Sequence, residues 1–167
     1  WSRQSGKSTN VAAFSSFRCA ISPTAIMIIA PTQTQSSELY SKIRSFILSN
    51  ENLSAQLVKS TETELRFQNG SRIKALPSGT EGKSIRGFTA DIVILEEAGV
   101  MKDEIVNSVI MPMLASKKSA GQVIKIGTPL TKNHFYRSCY IDPTYDVISI
   151  TWKDCIKAGQ YSKEFVD

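Results

Sequence analysis

The sequence begins WSRQSGKSTN (residues 1–10), in which Gly6-Lys7-Ser8 is the ending of the phosphate-binding pattern G-x-x-x-x-G-K-[ST]. Trp1 stands where that pattern has its first glycine, and Arg3 lies inside the loop. By chance alone, G-K-[ST] is expected in roughly one chain in ten of this length. The tripeptide therefore indicates a nucleotide site only if the surrounding sequence supplies the rest of one.

The tripeptide occurs twice, and the residues that follow each copy distinguish the two. After Ser8, apolar residues recur at helical spacing to about Ile21. The first copy would thus lead into a helix, whose N-terminus can hold phosphate. After Gly82-Lys83-Ser84, Gly87 and the next strand leave no room for a helix. We therefore predict that the second copy is plain loop.

Helix and strand patterns alternate along the chain. Continuous apolar runs predict buried strands, and apolar residues three and four apart predict helices. The predicted strands lie at 25–31, 90–99 and 122–129, and the predicted helices at 32–50, about 102–116 and 133–140. Asn69-Gly70 predicts a hairpin turn within 64–76, and YDVISITW (145–152) predicts a last strand. This order predicts an α/β fold with a largely parallel sheet covered by helices on both faces.

Two of the predicted strands end in groups suited to a phosphate site. ADIVILEEAG (90–99) ends in Glu96-Glu97, and QVIKIGTP (122–129) ends in Gly127-Thr128. Phosphoryl transfer needs acids that hold Mg²⁺ and orient water. Because ligand sites of α/β proteins lie at the carboxyl edge of the sheet, we expect these groups near the first loop. The alternative for the acid pair is that it caps the next helix.

Composition and charge indicate which partners and which kinds of site are compatible with the sequence. The 167 residues carry 20 Lys+Arg and 15 Asp+Glu, and the resulting charge of +5 is compatible with a nucleic-acid partner. The apolar runs are too short to span a bilayer. Three distant cysteines and one histidine, His134, favour reduced thiols over a disulfide framework or a zinc site. We predict that His134 is a packed or helix-end residue and not a catalytic base.

Four segments carry a family resemblance that runs in order over nearly the whole chain. SRQSGKST, RFQNGSRIKAL, IRGFTADIVILEEAG and KIGTPLTKNHFY resemble the ATPase domain of phage terminase large subunits. That family's loop often lacks the first glycine and carries a basic residue. The resemblance implies an additional-strand P-loop NTPase fold and an ATPase motor that translocates double-stranded DNA into a capsid.

The resemblance also implies a domain organisation. Residues 1–152 would form the ATPase domain, and residues 153–167 would begin the connection to a downstream nuclease domain. The strand that should lead into the phosphate loop is not in this sequence, so the chain is expected to be a fragment. No nuclease activity is expected in these residues.

The motif and the resemblance together give the candidate ATP-binding residues their roles. The loop residues expected to bind ATP are Ser2, Arg3, Gln4, Ser5, Gly6, Lys7, Ser8 and Thr9. Lys7 would contact the β- and γ-phosphates, and Ser8 would ligate Mg²⁺. By resemblance, Arg3 would act in catalysis by sensing or stabilising the γ-phosphate. The alternative is that Arg3 pairs with a carboxylate or with a DNA phosphate.

The residues at the two strand ends complete the expected site. Glu96 would hold Mg²⁺ and Glu97 would orient the attacking water. Gly127 and Thr128 would couple hydrolysis to motion, unless Thr128 only caps a turn. Glu96 departs from the family, in which aspartate is usual, and it either holds the Mg²⁺ shell or weakens the site. Asp91 cannot replace it, since five residues of strand span about 16 Å.

The partners implied by the resemblance are double-stranded DNA, the portal protein, the small terminase subunit and further copies of the chain in a ring on the portal. No membrane is expected, and the protein would act in the cytoplasm of the infected host cell, outside the mature virion. Two alternatives remain. One is another nucleic-acid-dependent P-loop ATPase of helicase type, and the other is a degenerate, non-catalytic nucleotide-binding or assembly module, which Trp1 and Glu96 favour slightly.

Overall fold

A computed structural model describes residues 6–115 and 121–159. Its six strands are β1 Ala25–Ala30, β2 Leu57–Ser60, β3 Glu64–Phe67, β4 Arg72–Pro77, β5 Ile92–Leu95 and β6 Gln122–Lys125. They form one sheet in the order β2-β3-β4-β1-β5-β6. Strands β4, β1, β5 and β6 run parallel, whereas β3 is antiparallel to both β2 and β4. The predicted α/β fold with a mostly parallel sheet is confirmed.

Helices flank this sheet. They are α1 Lys7–Ile21, α2 Gln33–Leu48, α3 Glu51–Ser54, α4 Asp103–Ile105, α5 Met111–Ala115, α6 His134–Tyr140 and α7 Trp152–Lys157. A π-helical stretch, Val106–Ile110, joins α4 to α5. None of the helices in the described part of the chain is long and apolar enough to cross a membrane.

The central strand β1 separates two hydrophobic cores. Ile26 and Ile28 pack with residues of α1 and α2, whereas Met27 and Ile29 pack with residues of α4 and α5 on the other face. Because side chains alternate across a strand, a strand buried on both faces has no polar side. This explains why AIMIIA is continuously apolar.

Two local predictions can be compared directly with the structure. Gly82-Lys83-Ser84 was predicted to be loop, and it forms only a single 3₁₀ turn, Lys83–Ile85, in which Lys83 pairs with Glu81 at 2.6 Å. The strand predicted at 145–152 is not formed: residues 146–151 have no regular structure, and Trp152 begins α7. There the Thr151 hydroxyl and the Asp154 carboxylate form a capping box, which favours a helix start.

Candidate active site

Helix α1 presents its N-terminus at one edge of the sheet. Gly6 precedes it with φ 80° and ψ 5°, a left-handed conformation that a residue with a Cβ adopts only with strain. Lys7 is the first helical residue, and Ser8 and Thr9 follow in the first turn. That turn contains no acidic residue, so its free N–H groups and positive dipole are available to an anion. Residues Ser2, Arg3, Gln4 and Ser5 lie outside the described residues.

The end of β5 brings both acids to the lysine of this helix. Lys7 Nζ lies 3.9 Å from Glu96 Oε1 and 3.6 Å from Glu97 Oε1. Asp91 lies at the opposite, amino end of β5, where its carboxylate accepts a hydrogen bond from Ala25 N at 2.8 Å. The structure thus brings Lys7 together with Glu96 and Glu97, and it places Asp91 at the opposite end of β5.

Glu96 is suited to hold a cation. Burial is the main cause that raises its pKa; the Lys7 ammonium opposes this shift, and the charge of Glu97 adds to it. Its Oε2 atom is buried and has no hydrogen-bond partner within the described residues. A buried carboxylate oxygen without a partner is costly, and a bound cation would satisfy it. Carboxylates together with substrate phosphates are the ligands that Mg²⁺ takes in such sites, so the residues present fit Mg²⁺.

Glu97 has an unusual backbone. At φ 54° it is the one non-glycine residue with positive φ in the described part of the chain. It precedes a 3₁₀ turn, Ala98–Val100, but its side chain makes no capping hydrogen bond. A left-handed non-glycine residue costs about 1–3 kcal/mol, and such strain concentrates at functional sites. The geometry therefore favours a functional role for this acid over a helix cap.

The loops that follow β5 and β6 are in direct contact. Ile126 N donates to Leu95 O at 2.9 Å, and Ala98 N donates to Ile126 O at 2.8 Å. Gly99 approaches so closely that a Cβ there would collide with the carbonyl oxygen of Thr128. Gly127 and Thr128 therefore lie against the loop that carries Glu97, and the Thr128 side chain is exposed.

Asn133 and Asp103 hold this arrangement together, and neither was singled out from the sequence. Asn133 Nδ2 donates to Gly99 O at 2.8 Å, and its Oδ1 accepts from the first N–H groups of α6. Asp103 accepts from His134 N at 2.6 Å and from Arg137 at 2.5 Å. An asparagine before a helix is a recognisable cap signal, but nothing in the sequence indicates its second contact with the acidic loop.

His134 is buried, as predicted for a packed or helix-end residue, with 4% of its surface exposed. Burial lowers its pKa to about 4, and the nearby Lys125 charge contributes. The imidazole is therefore neutral near pH 7. Both ring nitrogens lack a hydrogen-bond partner within the described residues. The adjacent Phe135 belongs to the core beneath α4 and α5.

Comparison with known families gives a match over almost the entire chain. The family model described as "Terminase large subunit, T4likevirus-type, N-terminal" matches residues 1–164. No curated protein matches the chain.

Solved structures with a similar fold include two phage proteins. The HK97 bacteriophage large terminase has a TM-score of 0.64 and 21% identity, over 75% of this chain and 27% of that one. The Thermus phage P74-26 large terminase ATPase domain has a TM-score of 0.66 and 26% identity, and the match covers 81% of this chain and 60% of that one. A mutant of that domain has a TM-score of 0.65 and 23% identity, and the match covers 81% of this chain and 60% of the mutant chain. The chain thus spans less than two thirds of each of these proteins.

Proposed function

Because the chain belongs to the terminase large subunit family, T4likevirus-type, N-terminal, over residues 1–164, we propose that it is the ATP-hydrolysing part of a motor that packages viral double-stranded DNA into a capsid. The observation that carries this proposal is that Lys7, at the N-terminus of α1, lies within 4 Å of the carboxylates of Glu96 and Glu97. A lysine at a helix N-terminus binds phosphate, and two acids beside it supply the other groups that phosphoryl transfer needs.

Each residue then has a defined task. The Lys7 ammonium, which lies beside the two carboxylates, would contact the β- and γ-phosphates of ATP. The first-turn N–H groups of α1 would bind phosphate oxygens. Ser8 and Glu96 would hold Mg²⁺, which when bound neutralises charge on the phosphates. Glu97 would orient the attacking water and accept its proton. Arg3, by family resemblance, would stabilise the γ-phosphate.

The contact between the β5 and β6 loops supports a coupling role for Gly127 and Thr128. Ala98, next to Glu97, donates to the carbonyl oxygen of Ile126, next to Gly127, at 2.8 Å. A change in the position of Glu97 would reach Gly127 through this hydrogen bond. Packed loops of this kind move together because close contacts do not deform continuously. The state of the phosphate would thereby be passed to the segment that leads to α6.

The partners and location proposed for the whole protein follow from the family. They are double-stranded DNA, the portal protein, the small terminase subunit and further copies of the chain in a ring on the portal. The site of action is the cytoplasm of the infected host cell. The formal charge of +5 is compatible with a DNA partner.

Mg²⁺-dependent ATP hydrolysis by the whole protein tests this proposal. We expect Lys7→Ala to abolish turnover, because Lys7 meets charge that develops on the phosphates. The second G-K-S provides a matched control, since Lys83 pairs with Glu81 and follows no phosphate loop. Lys83→Ala should keep wild-type turnover. Equal turnover of wild-type and Lys7→Ala proteins would contradict the assignment and would favour a non-catalytic module.

A further inference from the structure

Three cations stand in one row across the antiparallel part of the sheet. Lys59 of β2 lies opposite Arg66 of β3, and Arg66 lies opposite Arg72 of β4. Residues directly opposed in antiparallel strands point to the same face, and neighbouring strands are about 4.8 Å apart. The three side chains therefore leave one face of the sheet within about 10 Å of each other. We call Lys59, Arg66 and Arg72 the basic row.

The basic row lies on a face that the helices leave open. Leu65 and Ile73, its neighbours along β3 and β4, point into the core formed with α1 and α2. Side-chain alternation places Arg66 and Arg72 on the opposite face. On that face the core beneath α4 and α5 contains no residue of β2 or β3. Accordingly, the Lys59 and Arg66 side chains remain 43% and 54% exposed.

Within the described residues, this charge is only partly compensated. Glu64 accepts from both Lys59, at 2.5 Å, and Arg66, at 2.8 Å. Arg72 donates to a backbone carbonyl, that of Thr89, at 3.2 Å. Lys74, which lies opposite Glu64 in the register, sits 4.2 Å above the Phe88 ring. The face thus gathers four cations around one carboxylate.

The cations of the basic row repel one another, because like charges directly opposite each other on neighbouring strands are destabilising. The ion pairs of Lys59 and Arg66 with Glu64, whose side chain is 12% exposed, offset part of this repulsion. A polyanion bound across the row would reverse the sign of the remaining repulsive contribution. The row therefore has the charge expected of a surface that binds a polyanion.

We propose that the basic row, assisted by Lys74, binds the phosphate backbone of double-stranded DNA. The phosphates of each strand recur about every 3.4 Å of duplex axis, and they lie further apart along the backbone because it winds around that axis. A row about 10 Å long can therefore contact two or three phosphates. Contacts to phosphate carry no sequence information, which suits a motor that must move any sequence. The choice of DNA as the polyanion rests on the proposed function.

The test is the salt dependence of DNA binding by the whole protein. Random-sequence duplex would be titrated with wild type and with the triple variant Lys59→Gln, Arg66→Gln, Arg72→Gln. Each lost phosphate contact reduces the slope of log K against log [salt] by about 0.9, so we expect the slope to fall by about 2 to 3. The charge-matched control is a second triple variant. It removes three exposed lysines outside the row: Lys102→Gln, Lys132→Gln and Lys157→Gln.

The control variant should keep the wild-type slope. An unchanged slope in the row variant, or an equal decrease in both variants, would overturn the proposal. So would a row variant that lost binding to an acidic protein but not to duplex DNA. If the triple variant fails to fold, Arg66→Gln and Arg66→Lys replace it, and only Arg66→Lys should keep the slope. A wild type without ATPase activity would instead refute the proposed function, because the DNA-binding assay tests only the basic row.

Discussion

Glu96 and Glu97 are adjacent in sequence, yet the fold gives them different environments. Glu96 continues β5, with its N–H donating to Ile29 O at 2.9 Å, and its side chain is 12% exposed. Glu97 turns into the left-handed region and its side chain is 39% exposed. A buried carboxylate suits a metal shell, whereas the more exposed one can reach a water molecule. Substitutions of the two acids should therefore have different effects on turnover and on the Mg²⁺ requirement.

For Glu97→Gln we expect ATP to bind while turnover falls by about a hundredfold or more, the usual scale for a lost general base. Glutamine keeps the size and hydrogen bonding of the side chain but cannot accept the proton. Single-turnover hydrolysis and a nucleotide-binding assay would measure the two effects. The Mg²⁺ concentration needed for half-maximal activity should stay as in the wild type. A raised Mg²⁺ requirement would assign this residue to the metal instead.

For Glu96→Ala we expect the opposite pattern, with weakened Mg²⁺–ATP binding and a raised Mg²⁺ requirement, because charge is removed from the metal shell. Glu96→Asp restores a carboxylate with the side chain usual in the family and should be tolerated. Magnesium titrations of ATPase activity would compare the two variants. If Glu96→Ala left the Mg²⁺ titration unchanged, Glu96 would have no part in the metal site.

The sequence predicted these acids at a strand end beside the phosphate loop, because buried runs and parallel order are local, periodic signals. It could not predict the left-handed backbone of Glu97. The next residue, Ala98, donates through its N–H to the carbonyl oxygen of Ile126, which follows β6 and lies far along the chain. The geometry of the site is thus set by tertiary contact, whereas its residue types can be recognised from the pattern.

At the scale of elements, Asn133 connects α6 to the loop that follows β5. One atom of its amide caps the helix, and the other donates to Gly99 O at 2.8 Å and to Met101 O at 3.4 Å. The helix cap needs only an oxygen acceptor, whereas the contact with Gly99 and Met101 needs an N–H donor. One substitution can therefore separate the two functions.

We expect Asn133→Asp to keep the cap of α6, since aspartate is an equally good cap, but to lose both bonds to the β5 loop. Stability should fall by about 1–3 kcal/mol, because buried carbonyls lose their donor. DNA translocation should fall more than ATP hydrolysis, since the loops that carry Glu97 and Thr128 are no longer tied to α6. Chemical unfolding and parallel assays of ATPase and packaging would measure this.

Asn50→Asp is the matched control. Asn50 Oδ1 accepts from Leu53 N at 3.1 Å and caps α3, away from the site. This variant should keep wild-type coupling and stability. If Asn133→Asp lowered both activities in the same proportion, Asn133 would position the catalytic groups without coupling them to motion.

The positions of most elements were predictable from the sequence, but those of strand β2 and of the segment 145–152 were not. Strand β2 (LVKS) gives no strand signal because its residues are largely exposed and do not alternate between buried and exposed positions. The alternation in 145–152 was read as a strand, but residues 145–149 instead line a cavity of about 380 Å³ with α1 and β6. Period-two alternation shows which side chains are apolar. It does not show whether a neighbouring strand is in place to pair with them.

At the scale of the whole molecule, the single histidine of the chain links pH to global stability. His134 is neutral in the folded protein because burial lowers its pKa from 6.5 to about 4. In the unfolded chain it takes up a proton near pH 6.5. Between these values the unfolded state binds more protons than the folded state, so stability rises with pH across the window.

We therefore expect the free energy of unfolding to fall by about 2 kcal/mol from this histidine alone as the pH is lowered from 7.5 to 5. Urea unfolding at several pH values would measure it. His134→Leu removes the titrating group and has a similar volume, so its stability should vary less with pH over this window. Aspartates and glutamates titrate in both proteins, and the difference between the two curves isolates the histidine. Parallel curves would show that His134 is readily protonated in the folded state, which would contradict its burial as a neutral residue.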